Sequence, residues 1–382
     1  MRNIILLGIV SFFTDISTEM IYPLIPAFLI GTLGASPALL GIIEGIAESI
    51  GSLLKVFFGY FSDKLRKRKL FAVLGYSTSA LGKLILALAG GWLMVLTSRF
   101  VDRLGKGTRT APRDALIVES IGKGEKGAAF GLHRTIDTAG SIIGILIAYF
   151  ILLNYAGAIR TVFNWAILPA ILSVLILIFF VRDSSPKKPE KNKTERKINF
   201  NWAILPRQLK IFLLITFIFS LGNSSNLFLI LKALDIGFIP LYALLLYLTY
   251  NISYFLFLYP ASKLSDKIGR KILLVAGYFI YGLIYLAFAF VGVKIFYWLL
   301  FIIYGTYIGL TEGVEKALVA DNSPTELKGT AFGIHATIVG VTLLPASIIA
   351  GLLWQYFGAS TPFYLSALTG FTASILVLKY IK

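Results

Sequence analysis

The sequence predicts an all-α membrane protein whose twelve transmembrane helices form two parallel six-helix repeats. Three observations carry this expectation. Hydrophobic residues make up 57% of the 382-residue chain and charged residues only 14%, against roughly 25% charged in soluble domains. The apolar residues fall in runs long enough to cross a bilayer, which takes about 20 residues each. The segment Lys126–His133 (KGAAFGLH) also returns as Lys328–His335 (KGTAFGIH), 202 positions later.

The first helix, 4–30, follows directly on Met1–Asn3. It shows no small-residue cleavage pattern, so it reads as a retained span and not as a signal peptide. The loop at Thr32–Pro37 leads to a second helix over 38–61, which ends at the basic run Lys64, Arg66, Lys67, Arg68 and Lys69. The third (70–90) and fourth (92–113) helices flank Gly90 and Gly91, and the fifth (128–153) starts after Lys123 and Lys126. The sixth (159–181) runs into Arg182–Asn199, the single long polar stretch, which contains Pro186, Pro189 and many lysines and reads as a flexible linker. It divides an N-terminal bundle (1–182) from a linker (183–206) and a C-terminal bundle (207–382). The second bundle holds helices at 208–231, 238–262, 272–292, 296–318, 329–353 and 360–380.

With no cysteine in the chain, a disulfide framework and a thiolate metal site are both excluded. The formal charge of +17 would point to nucleic acid in a soluble protein. Here the basic residues collect in alternate loops, the asymmetry that keeps such loops on the cytoplasmic side. Both termini are therefore expected in the cytoplasm, with the chain in the plasma or inner membrane. The expected partners are the lipid bilayer and a small-molecule substrate; no nucleic acid partner is expected, and a monomer is.

The repeat extends beyond its longest match. Ala115-Leu116-Ile117 pairs with Ala317-Leu318-Val319 at the same offset, and Asp63-Lys64 with Asp266-Lys267 at 203. An even number of helices per half makes the repeat parallel, an arrangement that places a solute site between the halves near the bilayer midplane.

Charges inside hydrocarbon cost at least ~2.5 kcal/mol each, so they face a partner or an aqueous cavity. The sixth, ninth and twelfth helices carry almost none and the third carries only Lys83. Every third helix is thus expected to face lipid. In the first helix, Asp15 and Glu19 share a face with Ser11, Tyr22 and Pro26, with Asp15 roughly 15–20 Å from the helix start. The second carries Glu44, Glu48 and Lys55. The fourth carries Arg99, Asp102, Arg103, Lys106, Arg109 and Arg113, and the fifth His133, Arg134 and Asp137.

A carboxylate in such a cavity can load and release a proton. The candidates are Asp15, Glu19, Glu48, Asp102 and Asp137, with Asp15 and Asp137 first by depth. No cofactor is expected beyond protons as the coupling ion. Internal ion pairing is the competing reading for any single pair. The second half offers Asn223, Asn226, Asn251, Tyr307 and Glu312 as polar groups for an organic solute or for contacts between helices. His133 and His335 occupy equivalent repeat positions, open to proton or metal binding or to an inherited packing role; no metal site is assigned.

The loop Gly59-Tyr60-Phe61-Ser62-Asp63-Lys64-Leu65-Arg66-Lys67-Arg68-Lys69 resembles the signature loop of the major facilitator superfamily, with Arg66 where glycine is usual. A second copy, Asp266-Lys267-Ile268-Gly269-Arg270-Lys271, stands in the matching loop, with Ser262 in place of the leading glycine. The resemblance covers the whole chain and implies alternating access by rocking of two bundles. It further implies a cytoplasmic gate in which Asp63, with Arg68 and Arg109 or Arg113, stabilises the outward-facing state, with Asp266 and Arg270 as the second copy. Arg99-Phe100-Val101-Asp102 resembles the family's helix-four arginine motif, with Asp102 where glutamine is common and Arg103 where glycine is expected. Gly131, Gly140 and Gly144 fall at the spacing of the exporters' helix-five motif, although Ile145 and Ala148 replace its proline and last glycine.

These readings favour a secondary active transporter of a small organic solute, proton-coupled and exporting. A facilitator or uptake system for a polar or anionic metabolite, using Arg99, Arg103 and Arg134, is the alternative. An intramembrane enzyme is disfavoured, since no metalloprotease His pair, nucleotide-binding loop or Ser/His/Asp set at catalytic spacing occurs.

Overall fold

The computed structural model describes residues 2–65, 67–120, 126–155, 158–183, 205–324 and 327–381. Among them run thirteen α-helices: α1 (Arg2–Ile21), α2 (Pro37–Leu65), α3 (Arg68–Ala87), α4 (Trp92–Glu119), α5 (Lys126–Asn154), α6 (Ile159–Phe180), α7 (Arg207–Gly222), α8 (Leu227–Asp235), α9 (Pro240–Ile268), α10 (Arg270–Phe290), α11 (Lys294–Asp321), α12 (Lys328–Phe357) and α13 (Thr361–Tyr380). No strand occurs among the described residues. The expected linker lies, over 184–204, outside the described residues.

Among the described residues, ten stretches are long and apolar enough to cross a membrane, with α7 and α8 sharing one, Arg207–Asp235. The two long helices outside that set are α2 and α4, and α4 carries the most charged residues of any helix described. The outward surface is apolar: Phe179, Phe290 and Phe357 are 74%, 70% and 73% exposed. Such a surface belongs in hydrocarbon, where only helices and closed barrels satisfy the backbone.

Two helices differ from the sequence reading, which made each continuous. After Ile21 the first span tightens into a 3₁₀ turn, Tyr22–Leu24, and then widens into a π-helical segment, Ala27–Thr32. Pro23 and Pro26 cause this, because neither offers an N–H to the α-helical ladder. The seventh span breaks at 223–226. There the Ser225 N–H donates to Ser347 Oγ at 3.2 Å, and the Leu227 N–H donates to Ser225 Oγ at 3.3 Å. Ser and Asn side chains compete with the helical ladder in this way.

The main contacts within the first half join α3 to α4, α2 to α4 and α1 to α5; the second half joins α9 to α11 and α10 to α13. The largest contacts between the halves join α2 with α12 and α5 with α9. The second and fifth helices of one half thus meet the fifth and second of the other, as a parallel repeat requires. The cavity lining contains no residue of α3, α6, α10 or α13, so the third helix of each triplet stands outside it as expected.

The α2–α12 seam is the closer of the two. A Cβ on Gly41 would collide with the Ser347 carbonyl oxygen, and one on Gly45 would stand 2.9 Å from that of Leu344. These contacts lie in the half of α2 remote from its basic end. Gly140 and Gly144 of α5 serve the same purpose against α1, where added Cβ atoms would stand 2.6 and 2.5 Å from the Phe12 and Ile16 carbonyl oxygens. Small residues let membrane helices approach closely. Gly131 meets nothing within 4 Å.

Candidate functional site

The two charged helices build the electrostatic centre. On α2, Glu44 and Glu48 are one turn apart; on α4, Arg99 and Arg103 have the same spacing. Arg99 donates from Nε to Glu44 Oε1 at 2.7 Å and from Nη2 to Oε2 at 3.0 Å. Arg103 Nη2 is 2.5 Å from Glu48 Oε1, and Arg99 Nη1 is 3.7 Å from Asp102 Oδ2. Both guanidinium groups stand by the Tyr22 ring, 5.4 and 5.9 Å from its centroid, a cation–π arrangement. Ser225 Oγ, in the α7–α8 break, lies 3.4 Å from the Tyr22 hydroxyl and 3.5 Å from Glu44 Oε2. The network therefore crosses between the halves. Lys83, the single charge of the α3 span interior, also turns inward and donates to the Thr14 carbonyl and Thr18 Oγ1 at 3.3 and 3.0 Å.

Beside this network lies a cavity of about 250 Å³ between the halves, walled by α1, α4, α5, α9 and α11. Of the residues singled out in the sequence, Asp15, Glu19, Asp102, Arg103, Arg134, Asp137, Asn251 and Glu312 line it, together with Lys106, Arg109, Tyr247, Tyr250 and Tyr254. A polar chain spans it: Arg134 Nη2 donates to the Tyr254 hydroxyl at 2.8 Å, which donates to Glu312 Oε2 at 2.6 Å. Glu19 Oε2, Asp137 Oδ1, Arg103 Nε and Arg109 Nη1 are buried without a hydrogen-bond partner among the described residues.

The other expected residues do not line this cavity. Glu48 and Arg99 are engaged by Arg103 and Glu44 behind its wall. His133 sits one turn from Asp137, with Nδ1 3.6 Å from Oδ2. Asn223 terminates α7, and Asn226 Oδ1 accepts from the Tyr304 hydroxyl at 2.6 Å, so both serve the helix break. Tyr307 packs against Tyr281 and Tyr304, and His335 stacks on Phe212 at 6.2 Å, with Nε2 3.9 Å from Glu315 Oε2. Aromatic packing absorbs these two.

At the basic-loop ends the structure repeats itself. Arg68 donates to the Ala115 carbonyl at 3.3 Å and pairs with Glu119; Arg270 donates to the Ala317 carbonyl at 2.7 Å and pairs with Asp321. All three correspondences keep the 202-position offset. Each arginine adds a second donor to a carbonyl near the end of its half's fourth helix, where cationic side chains are favoured. Arg113 instead pairs with Asp114 and donates to Ser11 Oγ at 3.0 Å, while Arg109 lies over the Tyr76 ring at 4.3 Å. The side chains of Asp63 and Asp266 lie outside the described residues.

The family model described as Major Facilitator Superfamily matches residues 7–341 and again 212–382. The chain belongs to the major facilitator superfamily. An uncharacterized MFS-type transporter of Methanocaldococcus jannaschii is 40% identical over 387 residues, covering 98% of this chain and 94% of that one. The multidrug resistance protein MdtH of Sodalis glossinidius is 31% identical over 152 residues, covering 38% of this chain and 37% of that one. A crystal structure of the nucleoside transporter NupG shares the fold with a TM-score of 0.84 at 14% identity, covering 99% of this chain and 100% of that chain.

This superfamily member is a membrane transporter and not an enzyme. Several of its polar groups escaped the sequence reading. Glu119 and Asp321 were findable by extending the 202-position offset to the helix-four ends. Tyr247 and Tyr250 carried no signal, because tyrosine at helical spacing is equally a core residue.

Proposed function

We propose that this chain is a proton-coupled secondary transporter that exports a small polar organic solute by alternating access. The observation that carries the reading is the cavity between the halves. It gathers Asp15, Glu19 and Asp137 in the membrane interior, and one buried oxygen each of Glu19 and Asp137 has no hydrogen-bond partner among the described residues. Intramembrane carboxylates left unpaired are costly and mark ion or proton pathways. Asp15 and Asp137, facing the same cavity from α1 and α5, are the coupling sites, with protons as the ion and no other cofactor.

The bundles 1–182 and 207–382 rock as units about the α2–α12 and α5–α9 seams. The close α2–α12 contact shuts the face remote from the basic loops. That face is the outer one, with both termini in the cytoplasm and a monomer in the cell membrane; basic residues in the loops support this orientation. Arg68–Glu119 and Arg270–Asp321 brace the cytoplasmic gate together with Asp63 and Asp266. Export is supported by the helix-five glycine spacing and by the partial likeness to multidrug resistance proteins. Uptake of an anionic metabolite is the second reading, favoured by the convergence of Arg103, Lys106, Arg109 and Arg134 on the cavity.

Flux in vesicles of known orientation, across a panel of lipophilic cations, organic anions, sugars and amino compounds, tests both. Outward solute movement driven by inward proton flow supports the first reading. Inward accumulation of an anion, independent of the pH gradient, supports the second.

A further inference from the structure

We propose that the cavity takes a zwitterionic solute, its ammonium group held by Glu19 beside Tyr247 and Tyr250 and its acidic group by Lys106 and Arg109. The inference rests on the transporter reading above and names the substrate class. Several cavity charges already have partners: Arg103 with Glu48, Asp102 with Arg99, and Arg134 with Glu312 through Tyr254. Besides Asp15 and Asp137, assigned above to proton coupling, groups of both signs are left over. Glu19 Oε2 and Arg109 Nη1 are buried without a hydrogen-bond partner among the described residues, Arg109 resting on the Tyr76 ring, and the Lys106 ammonium faces the cavity with no hydrogen bond or close ion pair among the described residues.

These groups come from facing helices, α1 and α4, and make no hydrogen bond to one another among the described residues. A singly charged solute would strand one set, and an uncharged one would strand both. Buried ionic groups demand hydrogen-bonded partners, so a dipolar solute matches the complement. The aromatic wall fits its cationic end. Tyr247 and Tyr250 have centroids 5.4 Å apart, and Tyr22 lies 5.9 Å from Tyr247; electron-rich ring faces beside a carboxylate suit an alkylammonium group. Ile308 is the single aliphatic side chain in the lining, which speaks against a lipophilic compound. The volume, about 250 Å³, falls below the ~300–1,000 Å³ of pockets that enclose drug-sized ligands.

The test is binding to the purified full chain in nanodiscs, by calorimetry, without any gradient. The probes are ω-amino acids of three to six carbons, each with its matched alkylamine and alkyl carboxylate. At least one amino acid should bind ten-fold or more tighter than both its matched analogues. Glu19→Gln should bring it down to the level of the carboxylate, Lys106→Gln to that of the amine, and Glu19→Asp should keep the preference. Variants are compared only where melting without probe equals that of the parent; Glu19→Asp and the parent panel carry the test otherwise. A singly charged probe binding as tightly as the zwitterion, no binding across the panel, or a preference that survives Glu19→Gln would overturn the proposal. Zwitterion binding without proton-coupled flux would sink the coupling alone, and coupled flux of a singly charged solute would sink this assignment alone.

Discussion

Arg99 and Glu44 form a two-point ion pair inside the first half, at 2.7 and 3.0 Å, between side chains 4% and 0% exposed. Ser225 of the α7–α8 break touches the same carboxylate, at 3.5 Å. Glu44→Gln would leave the Arg99 charge buried with weakened compensation. Breaking one partner of such a pair costs about 3–5 kcal/mol, whereas replacing both by apolar groups is often neutral. Thermal unfolding in detergent should therefore show a marked fall for Glu44→Gln and near-parental melting for the double variant Glu44→Leu with Arg99→Met. Equal losses in both would contradict the pair's role.

The α2–α12 seam predicts a conformational effect. A side chain at Gly41 collides with the backbone at Ser347, so Gly41→Val should force the helices apart on the face remote from the basic loops. The chain has no cysteine, which makes labelling of a Ser49→Cys probe clean. Ser49 Oγ donates to the Gly340 carbonyl at 2.7 Å across this seam. Faster labelling is expected when Gly41→Val is added; an unchanged rate would show that the seam does not gate access.

The two arginine clamps should act as equals. Arg68→Ala and Arg270→Ala each remove a carbonyl partner and an ion pair at the end of α4 or α11. Each half-exposed clamp is worth about 1 kcal/mol, and because the clamps share no partner their effects should add within about 0.5 kcal/mol. Unfolding of the single and double variants checks this. A double-variant loss far from the sum would mean that the two ends are coupled.

Much of this architecture was legible before any coordinates. Charges inside apolar runs stand out, so Asp15, Glu19, Asp137 and Arg134 could be assigned to an internal cavity. The Lys126–His133 repeat fixed the parallel relation of the halves. Less visible was which charges neutralise each other. A helical pattern gives the face a residue occupies and not the residue opposite, so Arg99 read as a cavity group although Glu44 engages it. His133 and His335 kept the repeat in sequence, yet their neighbours differ, Asp137 in one half and Phe212 with Glu315 in the other. The break at 223–226 was hidden because its serines and asparagines also suit a polar helix face, and only the Ser225–Ser347 contact shows that the ladder yields there.

The central claim is that cavity carboxylates couple solute movement to protons, and solute flux under an imposed pH gradient tests it most directly. Parent, Asp15→Asn and Asp137→Asn proteins are reconstituted in proteoliposomes and compared with their own gradient-free solute exchange. Each substitution is expected to abolish gradient-driven flux while exchange without a gradient continues. Full pH-gradient dependence in both variants would contradict the claim.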